Sequence, residues 1–448
     1  MAMRIRRIIL QTTLLVIALV VAFVGGFSYQ DLSFGGKQPL SLFAIMTLLP
    51  QHVKWGLRSV AFGDQEIDAS PLDIYADTLA AIQSDFYGTA GSTRDLTYSG
   101  IRGMMASLGD RYTRFLDPKD YSRMQEDNQG EFPGIGAQLD TNPKGQVYIV
   151  KPLPDSPALH AHVQSGDIVI KVNNKPVIGL DITRVVEMIR GAPHTPVTLT
   201  LLRKGASKPM NITIIRNFVH QEMVVWRMID PEHKIGYIEL AQFNEESDPQ
   251  MNKALSALQA QGMRGLIFDL RGNPGGLLNA AQDVASRFVA SGPIVWVKER
   301  GGSLQSLNVE RKQHNHPQYP LVVLVNEGSA SASEITSGAI KDTHSGSLIG
   351  ERTYGKGLVQ TIIPLPDKSA VAITTAHYFT PAMHDINHKG IQPDIPVILT
   401  DTDQKKMATY LDNHPEDPLD VKDDRQLQKA LSTMVERVEA GSRPHAWQ

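Results

Sequence analysis

Three serines, Ser329, Ser331 and Ser333, alternate with alanines directly after the apolar run Leu321–Val325 and the turn Asn326-Glu327-Gly328. A hydroxyl at such a strand-to-helix turn projects from the backbone while neighbouring amides face the same space, which is how a hydrolase nucleophile is held. The same Ser-Ala alternation also serves as a plain helix cap. A serine hydroxyl needs a base, and Lys356 in Gly355-Lys356-Gly357-Leu-Val-Gln360 is a candidate. An amine takes a proton at neutral pH only if burial or nearby charge lowers its pKa, and flanking glycines let backbone close around it. The rival reading is a lysine on a surface turn; a phosphate-binding loop is excluded because the Gly-x-x-x-x-Gly-Lys-Ser/Thr pattern is missing. A third piece, Asp269-Leu-Arg-Gly-Asn-Pro-Gly-Gly276, offers free amides to a developing oxyanion, or is simply a tight connection that needs glycine.

Composition removes most other chemistries. The 448 residues contain no cysteine, so disulfides, thiolate metal sites and a cysteine nucleophile are excluded together. With 42% hydrophobic and 20% charged residues the chain is globular, and a net charge of -3 without a long basic run gives no footprint for nucleic acid. Among 14 histidines, His314 with His316 and His384 with His388 are the nearest clusters. His384 and His388 have the spacing of helical zinc ligands, but no glutamate lies between them and Pro381 precedes them, so no metal and no cofactor is expected.

These pieces need a frame, and the texture of the chain supplies one. Arg4, Arg6 and Arg7 precede an uncharged stretch from Ile8 to Gln30, the length of a bilayer-spanning helix. Its end, Val24-Gly25-Gly26-Phe27, is a poor cleavage site. Residues 1–30 therefore read as an inner-membrane anchor with the rest of the chain on the periplasmic or extracytoplasmic side, secretion after cleavage being the alternative. A second apolar segment, Pro39 to Leu57, is too short to span and suits a membrane surface or a docking helix. Residues 31–128 form a helical region, with Leu72, Tyr75, Leu79, Ile82 and Phe86 at helical spacing and a second pattern through Ile101, Met104, Met105 and Leu108. Residues 129–216 change to short strands with one amphipathic helix, Ile182 to Arg190. Residues 217–400 alternate strand and helix, which predicts an α/β core. Residues 401–448 are a charged tail with a helical pattern near 424–438.

Together, Ser329-Ala-Ser-Ala-Ser-Glu334-Ile, Gly350-Glu-Arg-Thr-Tyr-Gly-Lys-Gly-Leu-Val-Gln360, Asp110-Arg-Tyr-Thr-Arg-Phe-Leu-Asp-Pro118 and Gly390-Ile-Gln-Pro-Asp394 resemble the carboxyl-terminal-processing serine proteases of peptidase family S41, from about Ser70 to Thr400. The resemblance implies a multidomain α/β (α+β) fold: a crotonase-like sheet-and-helix core with a PDZ-like insert. It implies Ser331 as nucleophile, Lys356 as base and Gln360 as the residue orienting the amine. It further implies an oxyanion hole from the N–H of Ala332 and of Gly275 or Gly276. Phe132-Pro-Gly134-Ile135-Gly136 resembles the loop that holds a substrate's terminal carboxylate while its tail adds a strand to the sheet edge. Arg190 matches the residue that couples PDZ ligand binding to the protease. The implied partners are unfolded or flexible protein C-termini, and an adaptor and a homo-oligomer are both compatible. The rivals are a non-catalytic PDZ scaffold at the membrane and a broader degradative peptidase of the same chemistry. His162, His194 and Met383 stand where the family often has glycine, which leaves local loop shape open.

Overall fold

A computed structural model of the chain describes residues 70–310, 319–413 and 421–441. The expected anchor at 1–30, the segment from Pro39 to Leu57, and His314 and His316 all lie outside the described residues. No helix among the described residues is long and apolar enough to cross a membrane. Residues up to Ala90 form one unit and Gly91 onward another. The first contains α1 (Pro71–Asp85), whose Ser70 hydroxyl accepts the Leu72 N–H as its cap.

In the second unit the order is α2 (Thr93–Ala106), β1 (Arg114–Leu116), α3 (Pro118–Gln129), β2 (Glu131–Gly134), β3 (Ala137–Thr141), β4 (Val147–Pro152), the single turn α4 (Pro157–His160), β5 (Ile168–Val172), β6 (Lys175–Pro176), α5 (Ile182–Ile189), β7 (Pro196–Leu202), β8 (Met210–Ile215) and β9 (Asn217–His220). There follow β10 (Val224–Asp230), β11 (Ile235–Leu240), α6 (Ser247–Ala260), β12 (Gly265–Asp269), α7 (Leu278–Ser286), β13 (Pro293–Glu299), β14 (Leu304–Asn308), β15 (Leu321–Val325), α8 (Ala332–Asp342), β16 (Ser347–Gly350), β17 (Leu358–Pro364), β18 (Ala370–Phe379), β19 (Ile395–Pro396), α9 (Asp401–Asn413) and α10 (Arg425–Glu439).

The central sheet runs β10-β11-β12-β15-β16-β19, parallel except for the β10–β11 hairpin. Parallel strands need both faces covered, and β12 and β15 are correspondingly buried along their whole length. On one face α6, α7 and α8 pack through Leu255, Leu258, Val284, Ile335 and Ile340. On the other, α10 lays Leu427, Ala430, Met434 and Val438 against Ile267, Val322 and Ile349. Residues past 400 thus complete the cover of the central sheet. The helix in the charged tail is amphipathic, and its apolar stripe closes the core rather than hanging beside it.

A second sheet, β1-β18-β13-β14 with β17 also on β18, carries the segment around Lys356. Its strand β1 lies within the region 31–128 read as helical, beyond the second helical pattern that ends at Leu108. Three residues are too few for a period to show, but Pro118 forbids a helix running through, and Phe115 and Leu116 are buried beside Val371 and Ala370. The intervening domain is a six-stranded antiparallel sheet, β3-β4-β5-β7-β8 with β6 on β5, closed by Val185 and Ile189 of α5. Its β3 is an edge strand, and the ribbon β2–β9 joins it to the core.

His162, His194 and Met383 adopt positive φ of 59°, 64° and 62°, so the loops keep the left-handed turns that glycine would favour. An L side chain there costs about 1–2 kcal/mol, part of which glycine returns through its freer unfolded chain. Met383 is 46% exposed, with little packing to lose. Met383→Gly is therefore expected to stabilise the fold by about 0.5–1 kcal/mol, read from denaturant midpoints. A lowered midpoint would contradict this.

Candidate active site

The structure separates the three serines. Ser329 and Ser333 are fully buried and their hydroxyls donate to backbone carbonyls, of Leu270 at 2.8 Å and Asn273 at 2.9 Å. Ser331 alone borders the cleft, as the N-cap of α8 with φ 56° and ψ -112°. A non-glycine residue held at positive φ stores strain on the order of 1–3 kcal/mol, the kind of strain found at hydrolase nucleophile turns. The surroundings over-determine it. Glu334, fully buried one turn into the helix, accepts the N–H of Ser331 (3.0 Å), of Gly355 (2.7 Å) and of Lys356 (2.9 Å), and the Thr353 hydroxyl (2.6 Å). Burial pushes this carboxyl up, against four donors that favour the carboxylate. Tyr378 shares its hydroxyl between the carbonyls of Ser331 (3.1 Å) and Lys356. The two main chains are thus clamped together twice, once through their N–H groups and once through their carbonyls.

A cleft of about 580 Å³ is bordered by Ser331, Ala332, Lys356, Gln360 and Gly276, with Tyr112 and Arg114 from the β1 segment. Its apolar wall includes Leu277, Ile335, Val359 and Ile362. Lys356 is half withdrawn from water. Burial first, then the guanidinium of Arg114, lowers its amine below the ordinary lysine value. No hydrogen bond joins this amine to Ser331; it stands 4.7 Å from the centroid of the Tyr112 ring. Gln360 shares the cleft, but its Nε2 donates to Thr374 Oγ1 at 3.4 Å rather than meeting the lysine.

The sequence left Gly275 and Gly276 equal, and their geometry differs. Gly275 (φ 98°) donates its N–H to Asn273 Oδ1 at 2.9 Å. A Cβ there would stand 2.8 Å from both the Ser331 Cβ and the Ala332 nitrogen, so only glycine allows this approach. Gly276 (φ 147°) borders the cleft, and its N–H has no acceptor among the described residues. The same holds for the N–H of Ala332, the first residue of α8. The helix places the positive end of its dipole there.

In the intervening domain, Gly134 ends β2 opposite Asn217, and the buried Ile135 accepts the Ala158 N–H through its carbonyl at 2.7 Å. Gly136 (φ 68°) turns the chain into β3; a Cβ there would meet Ser156 at 2.4 Å. The N–H groups of Ile135 and Gly136 have no acceptor among the described residues. Arg190, just after α5, pairs with Glu126 of α3 at 2.8 Å and lies 5.1 Å over the Phe132 ring. Lys119 of α3 pairs with Glu187 of α5. Glu334 and Tyr378 escaped the sequence reading. Glu334 carried a signal, an acidic residue three positions after a capping serine; Tyr378, inside an apolar strand, carried none.

Comparison with known proteins agrees with this architecture. The family model of peptidase family S41 matches residues 234–397, and a PDZ domain model matches 148–203. A carboxyl-terminal-processing protease of Synechocystis is 38% identical over 304 residues, spanning 67% of this chain and 71% of that one. The carboxy-terminal processing protease CtpA of Bacillus subtilis is 35% identical over 347 residues, spanning 77% and 72%. A solved structure from Bacteroides fragilis, described as of the S41 class, covers 84% of this chain and 99% of its own at TM-score 0.51 and 16% identity, a likeness of fold. The chain therefore belongs to the carboxyl-terminal-processing proteases of peptidase family S41, with a PDZ domain set ahead of most of its protease core.

Proposed function

We propose that this chain is a membrane-anchored, extracytoplasmic serine endopeptidase that cuts proteins from their flexible C-terminal tails, with Ser331 as nucleophile and Lys356 as base. The observation that carries the reading is the double clamp: Glu334 and Tyr378 tie the main chains of residues 331 and 356 together at the border of one cleft. Ser331 Oγ attacks the peptide carbonyl carbon as its proton passes to neutral Lys356. The oxyanion is held by the N–H of Ala332 and Gly276, the latter favoured because the Gly275 N–H is committed to Asn273. Lys356 returns the proton to the leaving nitrogen, and an acyl-enzyme remains on Ser331. Water, deprotonated by Lys356, resolves it. Gln360 orients the amine once it turns toward the serine.

The substrate's last residues extend the edge strand β3, with the terminal carboxylate on the N–H groups of the Gly134-Ile135-Gly136 loop. Arg190 carries occupancy to α3 through Glu126. The test is a folded reporter bearing an unstructured tail, with a free or an amidated C-terminus, and its cleavage products read by mass spectrometry. Faster cutting of the free terminus, a preference diminished in Arg190→Ala, is expected. Equal rates for both termini in the wild type would remove the role given to the PDZ domain.

Because the base must be uncharged, the rate rises with pH through the lowered Lys356 value, with a midpoint below the roughly 10.4 of a free lysine. Arg114→Ala removes a like charge and so favours the ammonium. Its pH–rate midpoint is expected to move to higher pH, and a shift the other way would contradict the assignment of Lys356.

A further inference from the structure

The position of the Lys356 amine opposes the task assigned to it. A ring face attracts an ammonium, not a neutral amine, whereas a general base must be neutral. The nitrogen lies 4.7 Å from the Tyr112 centroid and is bonded to neither Ser331 nor Gln360, although all four side chains border one cleft. The ring itself is fixed. Its neighbour Thr113 is buried, donates to Asp110 at 2.7 Å and accepts the Thr374 N–H of β18 at 3.1 Å. Arg111 lies 4.8 Å from the same ring and 5.4 Å from the Tyr354 ring, and donates to the Tyr112 hydroxyl at 2.7 Å. Tyr112 is a braced platform, and the long lysine stem is the part free to swing.

We propose that Tyr112 is a positioning residue that parks Lys356 in its charged form, and that transfer of the amine from the ring face to Ser331 and Gln360 arms the protease. In that move the ammonium gives its proton to water, and the neutral amine becomes available to the serine hydroxyl. The inference rests on Lys356 being the base of the proposed reaction. The ring also stands on a segment the PDZ domain can reach: Tyr112 leads through β1 into α3, which holds α5 by the Lys119–Glu187 and Arg190–Glu126 pairs. A tail seated between α5 and β3 therefore acts on the segment that carries the platform.

The charged groups that bear on the amine are Asp110, Arg111 and Arg114 around β1 and Glu334 of α8; of these Arg111 touches the Tyr112 side chain, and its hydrogen bond to the hydroxyl is lost equally in Tyr112→Phe, which therefore controls for it. The decisive measurement is the pH midpoint for acetylation of Lys356 by acetic anhydride, read by mass spectrometry in a Ser331→Ala background. It needs no turnover, so it stands or falls apart from the assignment of the nucleophile. Tyr112→Leu is expected to lower that midpoint by about one pH unit, and Tyr112→Phe, which keeps the ring, by far less. An unchanged or raised midpoint in a folded Leu variant overturns the proposal. With Ser331 restored, Tyr112→Leu should cut an unfolded substrate without added C-terminal peptide on the order of 10-fold faster than wild type. A basal rate that is unchanged or lower overturns it as well. Should Tyr112→Leu not fold, Tyr112→Trp presents a stronger ring face and is expected to raise the acetylation midpoint; a lower or equal one is the contrary result.

Discussion

Ser331→Ala is expected to leave no acyl-enzyme and no measurable cleavage of an unfolded substrate, and Lys356→Ala to lower turnover by about 10²–10⁴-fold. The two losses should not multiply in the double variant, because a hydroxyl and its base act as one unit. Folding is expected to survive both changes, since the groups that clamp this region are Glu334 and Tyr378, which contact the main chain of residues 331 and 356 and not their side chains. A backbone control separates chemistry from strain. Ser331 sits at φ 56°, which glycine adopts without penalty, so Ser331→Gly should be inactive yet more stable than Ser331→Ala. Burst kinetics with an activated ester and denaturant melts read the two quantities independently. Substantial cleavage by either Ser331→Ala or Lys356→Ala, in protein free of host proteases, would end the assignment of that residue.

What the sequence disclosed follows from which interactions are local. The strand before Ser331, the helix after it and the glycine turn at 272–276 are set by nearest neighbours, and each was legible. The PDZ strands were legible too, because turn residues punctuate them at short intervals. The second sheet was not. Its strand β1 is three residues long, and it forms only because β18, more than 250 residues later, offers Ala370–Ala372 as a partner. Separation along the chain also hides the site's supports. Thr113 reaches Thr374, and Tyr378 reaches the main chains of both Ser331 and Lys356, through contacts that no short window of sequence contains. Glu334 lies between these cases: it reads as an ordinary helix cap, and only the fold brings Thr353, Gly355 and Lys356 to the same carboxylate. The choice between Gly275 and Gly276 likewise depends on where the Asn273 side chain goes.

The C-terminal helix gives the second large effect. A chain ending at Thr400 is expected to lose cooperative folding, although every residue of the proposed dyad remains. Leu427, Met434 and Val438 are almost wholly buried on the central sheet, and each contributes roughly 1.5–3 kcal/mol by leaving water. Their loss also exposes the apolar face of β11, β12, β15 and β16, against a total stability on the order of 5–15 kcal/mol. A charge is stranded as well. Arg271 pairs with Asp269 at 2.6 Å and with Asp424, the cap of α10, at 2.7 Å, and its Nη1 donates to Gln426 at 3.1 Å. Without α10 this guanidinium keeps one carboxylate, and it stands four residues before Gly275, at the root of the turn that packs against Ser331. Damage to the tail therefore reaches the candidate oxyanion donors through the chain itself. The graded version is Met434→Ala, expected to cost about 2–5 kcal/mol in denaturant melts, since the fully buried Met434 packs with Val438 against the bare Cα of Gly265 and its truncation leaves a cavity there. A truncated chain melting cooperatively within a few degrees of the full one would mean that the sheet's second face needs no cover, contrary to the burial of Ile267, Val322 and Ile349 beneath it.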